Sequence, residues 1–413
     1  MTQIETCQRK KRQALSDLKV LEYGHHISGP YCAKLMADMG AQVIKVEEPG
    51  MGDETRRIGP FLHDNPHPER SDLFLYLNTN KLGITLKVNN PRGKNIFKEL
   101  IKQADILIEN NPPAKMRELG LDYETLKQVN PRLIMTSITP FGQAGPYRDY
   151  KATDLITFHM SGLGYVTPPG VEHPPSQPPL KAGGRQSDFV AGLAAATATL
   201  LALFQLRITG VGQQVDVSQQ ETLTSLASLI LGMYAYEKMS HLRSGHVLAG
   251  AVAILPCKNG YATIEPVGPM HWERMMEVMG NPKWAEDGRF KEMASRRKNW
   301  DAVISLLAEW TKQHTKEEFT RTAQMKRTPV ISVSMPSDVV NSKQWAARGF
   351  FVDIDHPVAG TVKYPGAPFK LSQTPWRVDR PAPLLGQHNE EILCQQLGYS
   401  REDLVKMAQA GII

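Results

Sequence analysis

The stretch Leu18-Lys19-Val20-Leu21-Glu22-Tyr23-Gly24, followed by Ser28-Gly29-Pro30 and then by Gln42-Val43-Ile44-Lys45-Val46-Glu47, decides the fold class. Both apolar runs are short and bounded by turn-forming residues, the pattern of strands. Between them apolar side chains recur at Cys32, Leu35, Met36 and Met39, with Pro30 at the start and Gly40 past the end. Pro opening and Gly closing is the punctuation of a helix. Strand, helix and strand in so short a length make a βαβ unit, which implies a parallel sheet.

The alternation continues outward. A strand is expected near Gly83–Lys87, a helix at Pro91–Gln103, a strand at Asp105–Glu109 and a helix near Tyr123–Val129. A strand at Leu133–Ile138 ends in Thr139-Pro140-Phe141-Gly142, and ligand sites of open α/β sheets gather at such strand ends. Glu47, closing the second strand, invites a dinucleotide reading. Gly24-His25-His26-Ile27-Ser28-Gly29 has the wrong spacing for G-x-G-x-x-G, so NAD is rejected. Beyond a Gly/Pro-rich segment over 140–186 come a strand at Gln214–Ser218 and a helix from Gln219 to about Met239. After a composition break near 240–258, short strands mix with amphipathic helices at Trp272–Met279, Trp300–Thr311 and Lys316–Met325, which reads as a second, smaller domain. Strand-and-turn chemistry returns at Phe350–Ile354 and Gly360–Lys363, and a helix near Ser400–Ala408 closes the chain.

Composition narrows the partners. The 413 residues carry a formal charge of +6, and the basic residues are scattered apart from Arg9-Lys10-Lys11-Arg12. An anionic small molecule suits this balance better than nucleic acid. Cys7, Cys32, Cys257 and Cys394 form no CxxC pair, which points to a reducing compartment and away from a metal site. Residues 1–15 are polar and basic and read as a loose arm. No apolar run reaches the roughly 20 residues that span a bilayer, so a cytoplasmic location off the membrane is expected.

The chemistry concentrates in Gly183-Gly184-Arg185-Gln186-Ser187-Asp188-Phe189-Val190-Ala191-Gly192. A Gly-rich, basic approach leads to one acid, and the acid opens a long apolar helix through Leu193, Leu200, Leu201 and Phe204 that reads as buried on most of its circumference. Ser187 and Asp188 fall at its N-cap or first turn, where free N–H groups and the helix dipole favour an anion. As an ordinary cap, an Asp contributes about 1 kcal/mol. As a carboxylate held ionised at a pocket floor, it is a nucleophile. The residues alone leave both readings open. Elsewhere, adjacent His25 and His26 make no metal site without further ligands, and Lys151 with Asp154 reads as a solvated ion pair. His159 reads as a packed helix residue. No G-x-S-x-G elbow or phosphate-binding lysine loop is present.

Taken in order, several segments resemble the class III CoA-transferases of the CaiB/BaiF type, the carnitine and formyl-CoA transferase group that includes α-methylacyl-CoA racemase. They are Leu18–Tyr23 with Ser28-Gly29-Pro30, Met39-Gly40-Ala41-Gln42-Val43-Ile44-Lys45-Val46-Glu47, Gly52-Asp53 and Asn80-Lys81. Next come Ala104-Asp105-Ile106-Leu107-Ile108-Glu109-Asn110, Asn130-Pro131-Arg132-Leu133-Ile134 and Phe141-Gly142-Gln143-Ala144-Gly145-Pro146-Tyr147. The last are Ser187-Asp188, Gly210-Val211-Gly212-Gln213, Gly366-Ala367-Pro368-Phe369 and Leu384-Leu385-Gly386-Gln387-His388. The resemblance runs from about Leu15 to the C-terminus.

It implies an α/β fold: a Rossmann-like large domain with a smaller α+β domain, in an interlaced dimer. The implied division is an arm over 1–15, the first part of the large domain over 16–220, a linker helix over 221–240, the small domain over 241–330, and a linker and C-terminal part over 331–413. The implied activity moves CoA from an acyl-CoA to a carboxylic acid through an aspartyl anhydride and an aspartyl-CoA thioester on Asp188, with CoA as substrate and no permanent cofactor or metal. The resemblance assigns CoA contacts to Lys151, Asp154, Leu86, Arg117 and Ile27, while Glu48, Asn89 and Glu118 stand where the family carries other residues. Leu248-Ala249-Gly250-Ala251-Val252 resembles the carnitine branch. A racemase of this family would need a His before Asp154, where Thr153 stands. A homodimer is implied, with a heteromeric transferase as the alternative assembly.

Overall fold

The computed structural model describes residues 13–171, 176–238, 243 and 252–413. Most of the expected N-terminal arm, Cys7 and residues 248–251 of the carnitine-like loop lie outside the described residues.

Six strands form one all-parallel sheet: β1 Lys19–Tyr23, β2 Gln42–Glu47, β3 Leu82–Thr85, β4 Ile106–Glu109, β5 Ile134–Thr139 and β6 Gln214–Ser218. Their order is β3-β2-β1-β4-β5-β6, the doubly wound order, in which the direction of winding reverses between β1 and β4. Apolar side chains line both faces of the sheet because helices cover both. Leu21, Ile44, Leu107 and Met135 pack with Ile96, Phe97 and Leu100 of helix Pro91–Gln103 and with Ile392, Leu393 and Met407 near the C-terminus. Val20, Val43, Ile106 and Ile134 face the other layer, built from helices Ser28–Ala37 and Gln186–Thr209.

The chain divides into two compact units. One comprises the chain up to Gly164 together with Lys181–Glu237 and Gly349–Ile413, and it contains the six-stranded sheet and an antiparallel ribbon, β10 Phe351–His356 with β11 Gly360–Pro365. The other comprises Tyr165–Leu180 and Lys238–Arg348. Its antiparallel sheet of β7 Ala253–Cys257, β8 Gly260–Ile264 and β9 Val330–Ser332 packs with helices Pro269–Val278, Trp300–Thr311 and Lys316–Met325 around Trp272, Met275, Phe290, Leu307 and Phe319.

Two expectations about helices need correction. The helix expected over Gln219–Met239 is two, Gln219–Leu226 and Ser228–Glu237, broken at Ala227, whose φ of −89° and ψ of 16° leave the helical region. Helix Gln186–Thr209 is not buried on most of its circumference. Its inner face is made of small residues, Ala191, Gly192, Ala195, Ala196, Thr199 and Ala202, with Leu203 and Leu206. Leu193, Leu200, Leu201, Phe204 and Ile208 point away from the unit, 41–68 % exposed. Close approach explains the choice: a Cβ on Gly192 would stand 2.8 Å from the Ser28 carbonyl oxygen and 3.1 Å from the Tyr31 ring. This helix is long and apolar enough to cross a membrane by composition, but it packs against β5, β6 and helix Ser28–Ala37.

Candidate active site

Strand order fixes where a site can form. At the reversal between β1 and β4 the following loops part in opposite directions and leave a crevice at the carboxyl ends of the strands. The cavity found there, about 190 Å³, is lined by the residues that follow four strand ends: His26 and Ser28 after β1, Asn110 after β4, Pro140 after β5 and Gln219 after β6. Ile138, Ala152, Thr153, Asp154, Arg185 and Asp188 complete the lining.

The first of these loops is held rigidly. Asn110 Oδ1 accepts the His25 backbone N–H at 2.8 Å, and Asn110 Nδ2 donates back to the His25 carbonyl at 2.7 Å and to Ser28 Oγ at 3.1 Å. Lys45, fully buried, donates to the Gly24 carbonyl at 3.1 Å and pairs with Glu22 at 2.8 Å and Asp53 at 2.9 Å. Buried charges persist only when paired in this way. Glu47, the acid that invited a dinucleotide reading, is bound through both oxygens to Arg56, at 2.7 and 2.8 Å. His26 takes a left-handed backbone (φ 57°) that aims its ring toward the cavity rim, where it pairs with Glu54.

Asp188 lies in the first turn of helix Gln186–Thr209, but it does not cap that helix. Arg185 occupies the N-cap position and its side chain makes no capping bond. The cap comes from another element: Asp154 Oδ1 accepts the Ser187 backbone N–H at 2.7 Å, and Ser187 Oγ donates to the Asp154 carbonyl at 3.1 Å. Asp154 opens helix Asp154–Met160 and is buried. Its other oxygen pairs with Lys181 at 2.8 Å. Lys181 also donates to the carbonyls of Ala182, at 2.8 Å, and Gly184, closing the Gly-rich approach on itself. The expected solvated pair of Lys151 with Asp154 is therefore corrected: Lys151 is exposed, and the partner of Asp154 is Lys181.

Asp188 keeps its carboxylate for the cavity. Gln219 Nε2 donates to Oδ1 at 3.0 Å, and no described residue hydrogen-bonds Oδ2. Burial and the neighbouring Asp154 charge push its pKa up to about 6, against the opposing pull of Arg185, His26 and the Gln219 amide. The helix terminus does not hold Asp188 strongly anionic, as the sequence suggested. The environment leaves it ionised at neutral pH but more basic than an ordinary carboxylate, which favours nucleophilicity.

Of the residues singled out from the sequence, the fold brings Asp154 and Asp188 into one cavity. Lys151 and Arg117 do not line it, and Arg117 lies beside Asp149 at 3.6 Å. Leu86 and Ile27 are each 1 % exposed, and Leu86 packs in the core beneath the sheet. Lys181, Gln219, Asn110 and His26 escaped the sequence reading as site residues. Asn110 and Gln219 immediately follow strand ends and His26 comes three residues after one, a signal the sequence carries. Lys181 sits in a Pro-rich segment with no such marker. Among the described residues no cluster of His, Cys, Asp and Glu is arranged to hold a metal ion.

A doubly wound sheet with a cavity at its carboxyl edge, holding a buried carboxylate, has the layout of an α/β ligand-binding site. Comparison with known proteins gives the family: the chain belongs to CoA-transferase family III, whose model matches residues 15–389. It is 32 % identical over 402 residues to the succinyl-CoA–D-citramalate CoA-transferase of Chloroflexus aurantiacus, covering 97 % of this chain and 98 % of the relative. It is 32 % identical over 428 residues to the formyl-CoA:oxalate CoA-transferase of Rhodopseudomonas palustris, covering 97 % of each. The crystal structure of a CaiB/BaiF family protein from Brucella suis is similar with a TM-score of 0.83 and 28 % identity, covering 93 % of this chain and all of the other.

Proposed function

We propose that the protein moves CoA from an acyl-CoA to a carboxylic acid by covalent catalysis on Asp188. Asp188 Oδ2 attacks the thioester carbonyl, the C–S bond breaks, and CoA leaves as thiolate. The thiolate then attacks Cγ of the resulting anhydride and expels the donor acid as carboxylate, leaving an aspartyl-CoA thioester. The acceptor carboxylate attacks the same Cγ and releases thiolate, which finally takes the acceptor acyl group and frees Asp188. Each step exchanges one nucleophile for one leaving group, so no net proton or electron is needed.

The observation that carries this reading is the placement of Asp188, in a cavity at the sheet's reversal point with one carboxylate oxygen tied and the other free among the described residues. The cavity, about 190 Å³, has room for a small acyl group. Short acyl-CoAs and small mono- and dicarboxylic acids are the corresponding substrates. The test is incubation with succinyl-, formyl- or acetyl-CoA followed by hydroxylamine, which should convert Asp188 to a hydroxamate seen by peptide mass analysis. Unmodified Asp188 in a protein that exchanges CoA would refute it.

A second reading has one observation behind it. The sequence offered no second base for α-proton transfer, yet His26 lines the same cavity as Asp188. Racemase activity would appear as deuterium uptake at the α-carbon of a 2-methylacyl-CoA, lost in H26A.

The assembly we propose is a homodimer, interlaced as in the family. Its support is the exposed apolar row Leu193, Leu200, Leu201, Phe204 and Ile208 on the central helix, a surface of the kind that partners cover. Light scattering should give twice the 46.0 kDa chain mass, and Phe204→Glu should shift the protein toward monomer. A monomeric wild type would refute the dimer.

A further inference from the structure

We propose that Gln219 is a catalytic residue whose side-chain amide is the fixed donor to the oxyanion forming on Asp188 Oδ1 when Asp188 is itself the acyl group under attack. The inference rests on the covalent reading of Asp188.

In two of the four bond changes the electrophilic carbon is Cγ of Asp188. Thiolate attack on the anhydride, and acceptor attack on the thioester, each turn the Asp188 carbonyl into a tetrahedral centre. The attacking pair forms the new bond, and the carbonyl π pair moves onto Oδ1. On collapse that pair returns, and the donor carboxylate or the thiolate leaves with the bonding electrons. In the resting carboxylate the charge is shared by two oxygens. In these tetrahedral states a full charge sits on Oδ1, so a donor aimed there binds the transition state better than the ground state.

Gln219 Nε2 is already 3.0 Å from Oδ1, inside the range of an effective oxyanion donor. The residue is 7 % exposed and is the first residue after β6. Its neighbours fix it: the Gln220 backbone N–H donates to the Pro140 carbonyl at 3.1 Å, and Gln220 Nε2 donates to the Met160 carbonyl at 3.0 Å. Thr224 Oγ1 adds a bond to the Ser161 carbonyl at 3.3 Å. The donor therefore rides on a helix anchored to both β5 and helix Asp154–Met160, which spares the reaction a reorganisation step. A neutral amide has a further advantage over a cation at this place. It orients Oδ1 and leaves Oδ2 to attack without neutralising the nucleophile.

The test compares Gln219→Met, of similar volume, with Asp188→Ala and wild type. Loss of one oxyanion donor should lower kcat by about 10²–10³-fold while KM for the acyl-CoA changes little. Rapid quench separates this from a structural role. The first step places its oxyanion on the donor's own carbonyl oxygen, so Q219M should form the hydroxylamine-trapped anhydride at near wild-type rate and the aspartyl-CoA thioester at least 100-fold more slowly. Equal slowing of both steps, or turnover within threefold of wild type beside an inactive D188A, overturns the proposal alone. Turnover by D188A overturns the covalent reading beneath it. Should Q219M melt well below wild type, Gln219→Leu, which also removes the donor without adding charge, should show the same selective loss.

Discussion

Replacing Asp188 by Asn should make the protein more stable and catalytically silent, and the gain should depend on pH. Asp188 titrates near 6 in the folded protein against an ordinary value of 3.8, with burial the largest cause and the Asp154 charge the next. Because the folded value is the higher one, the folded state holds the proton more tightly than the unfolded chain. Ionising Asp188 therefore costs stability progressively as pH rises from about 4 to 6, and the full cost applies above about 7. A difference of roughly two pKa units corresponds to about 3 kcal/mol. Asp188 keeps some solvent contact, so about 1–2 kcal/mol is the gain to expect from an Asn that still accepts the Gln219 bond. Melting curves of wild type and D188N, at equal protomer concentration, should differ by a few degrees at pH 8 and converge near pH 4. Turnover should vanish in the variant, and kcat/KM of the wild type should fall tenfold per pH unit below about 6. A variant that melts lower at pH 8, or a difference indifferent to pH, would refute the account of Asp188 as a carboxylate held against its own burial.

Two other perturbations probe the surroundings of that carboxylate. Asp154→Asn removes a charge that raises the Asp188 pKa, so the acid limb of the rate profile should move below 6, and loss of the Lys181 partner should cost about 2 kcal/mol in melting or denaturant experiments. An unmoved acid limb would count against the coupling. Gly192→Ala gains about 1 kcal/mol of helix propensity but drives a methyl to 2.8 Å from the Ser28 carbonyl oxygen, and this overlap should win by about 1–2 kcal/mol. Since Ser28 lines the cavity, turnover should fall along with stability, and an unchanged kcat would show that the two helices can part without disturbing the site.

Much of the sheet is legible in the sequence because strand signals are local. The runs around Val20, Val43 and Ile106 carry apolar residues on both faces and are bounded by Gly, Pro or polar turns, and such a pattern belongs to a covered parallel sheet whatever lies far along the chain. The break at Ala227 is not legible, since no Gly or Pro marks it. The orientation of helix Gln186–Thr209 is misread for a physical reason. Counting apolar bulk turns Leu200, Leu201 and Phe204 inward, whereas packing against helix Ser28–Ala37 depends on how closely backbones approach, and that selects Gly192, Ala195 and Ala196.

The site divides along the same line. Asp188 announces itself because a Gly-rich approach, a lone acid and an apolar helix are consecutive. Its partners do not, because they reach it across 31 residues from Gln219 and 33 residues between Asp154 and Ser187, distances that only topology closes. Even so, topology follows from strands that the sequence does reveal. Once β1, β4, β5 and β6 are parallel and the order reverses between β1 and β4, the residues after their ends must meet at one edge. His26, Asn110, Pro140 and Gln219 are those residues, and each lines the cavity. What stays beyond such reasoning is Lys181. It contributes charge to the capping carboxylate from a Pro-rich loop whose path no periodicity dictates, so its role depends on where the folded chain carries it.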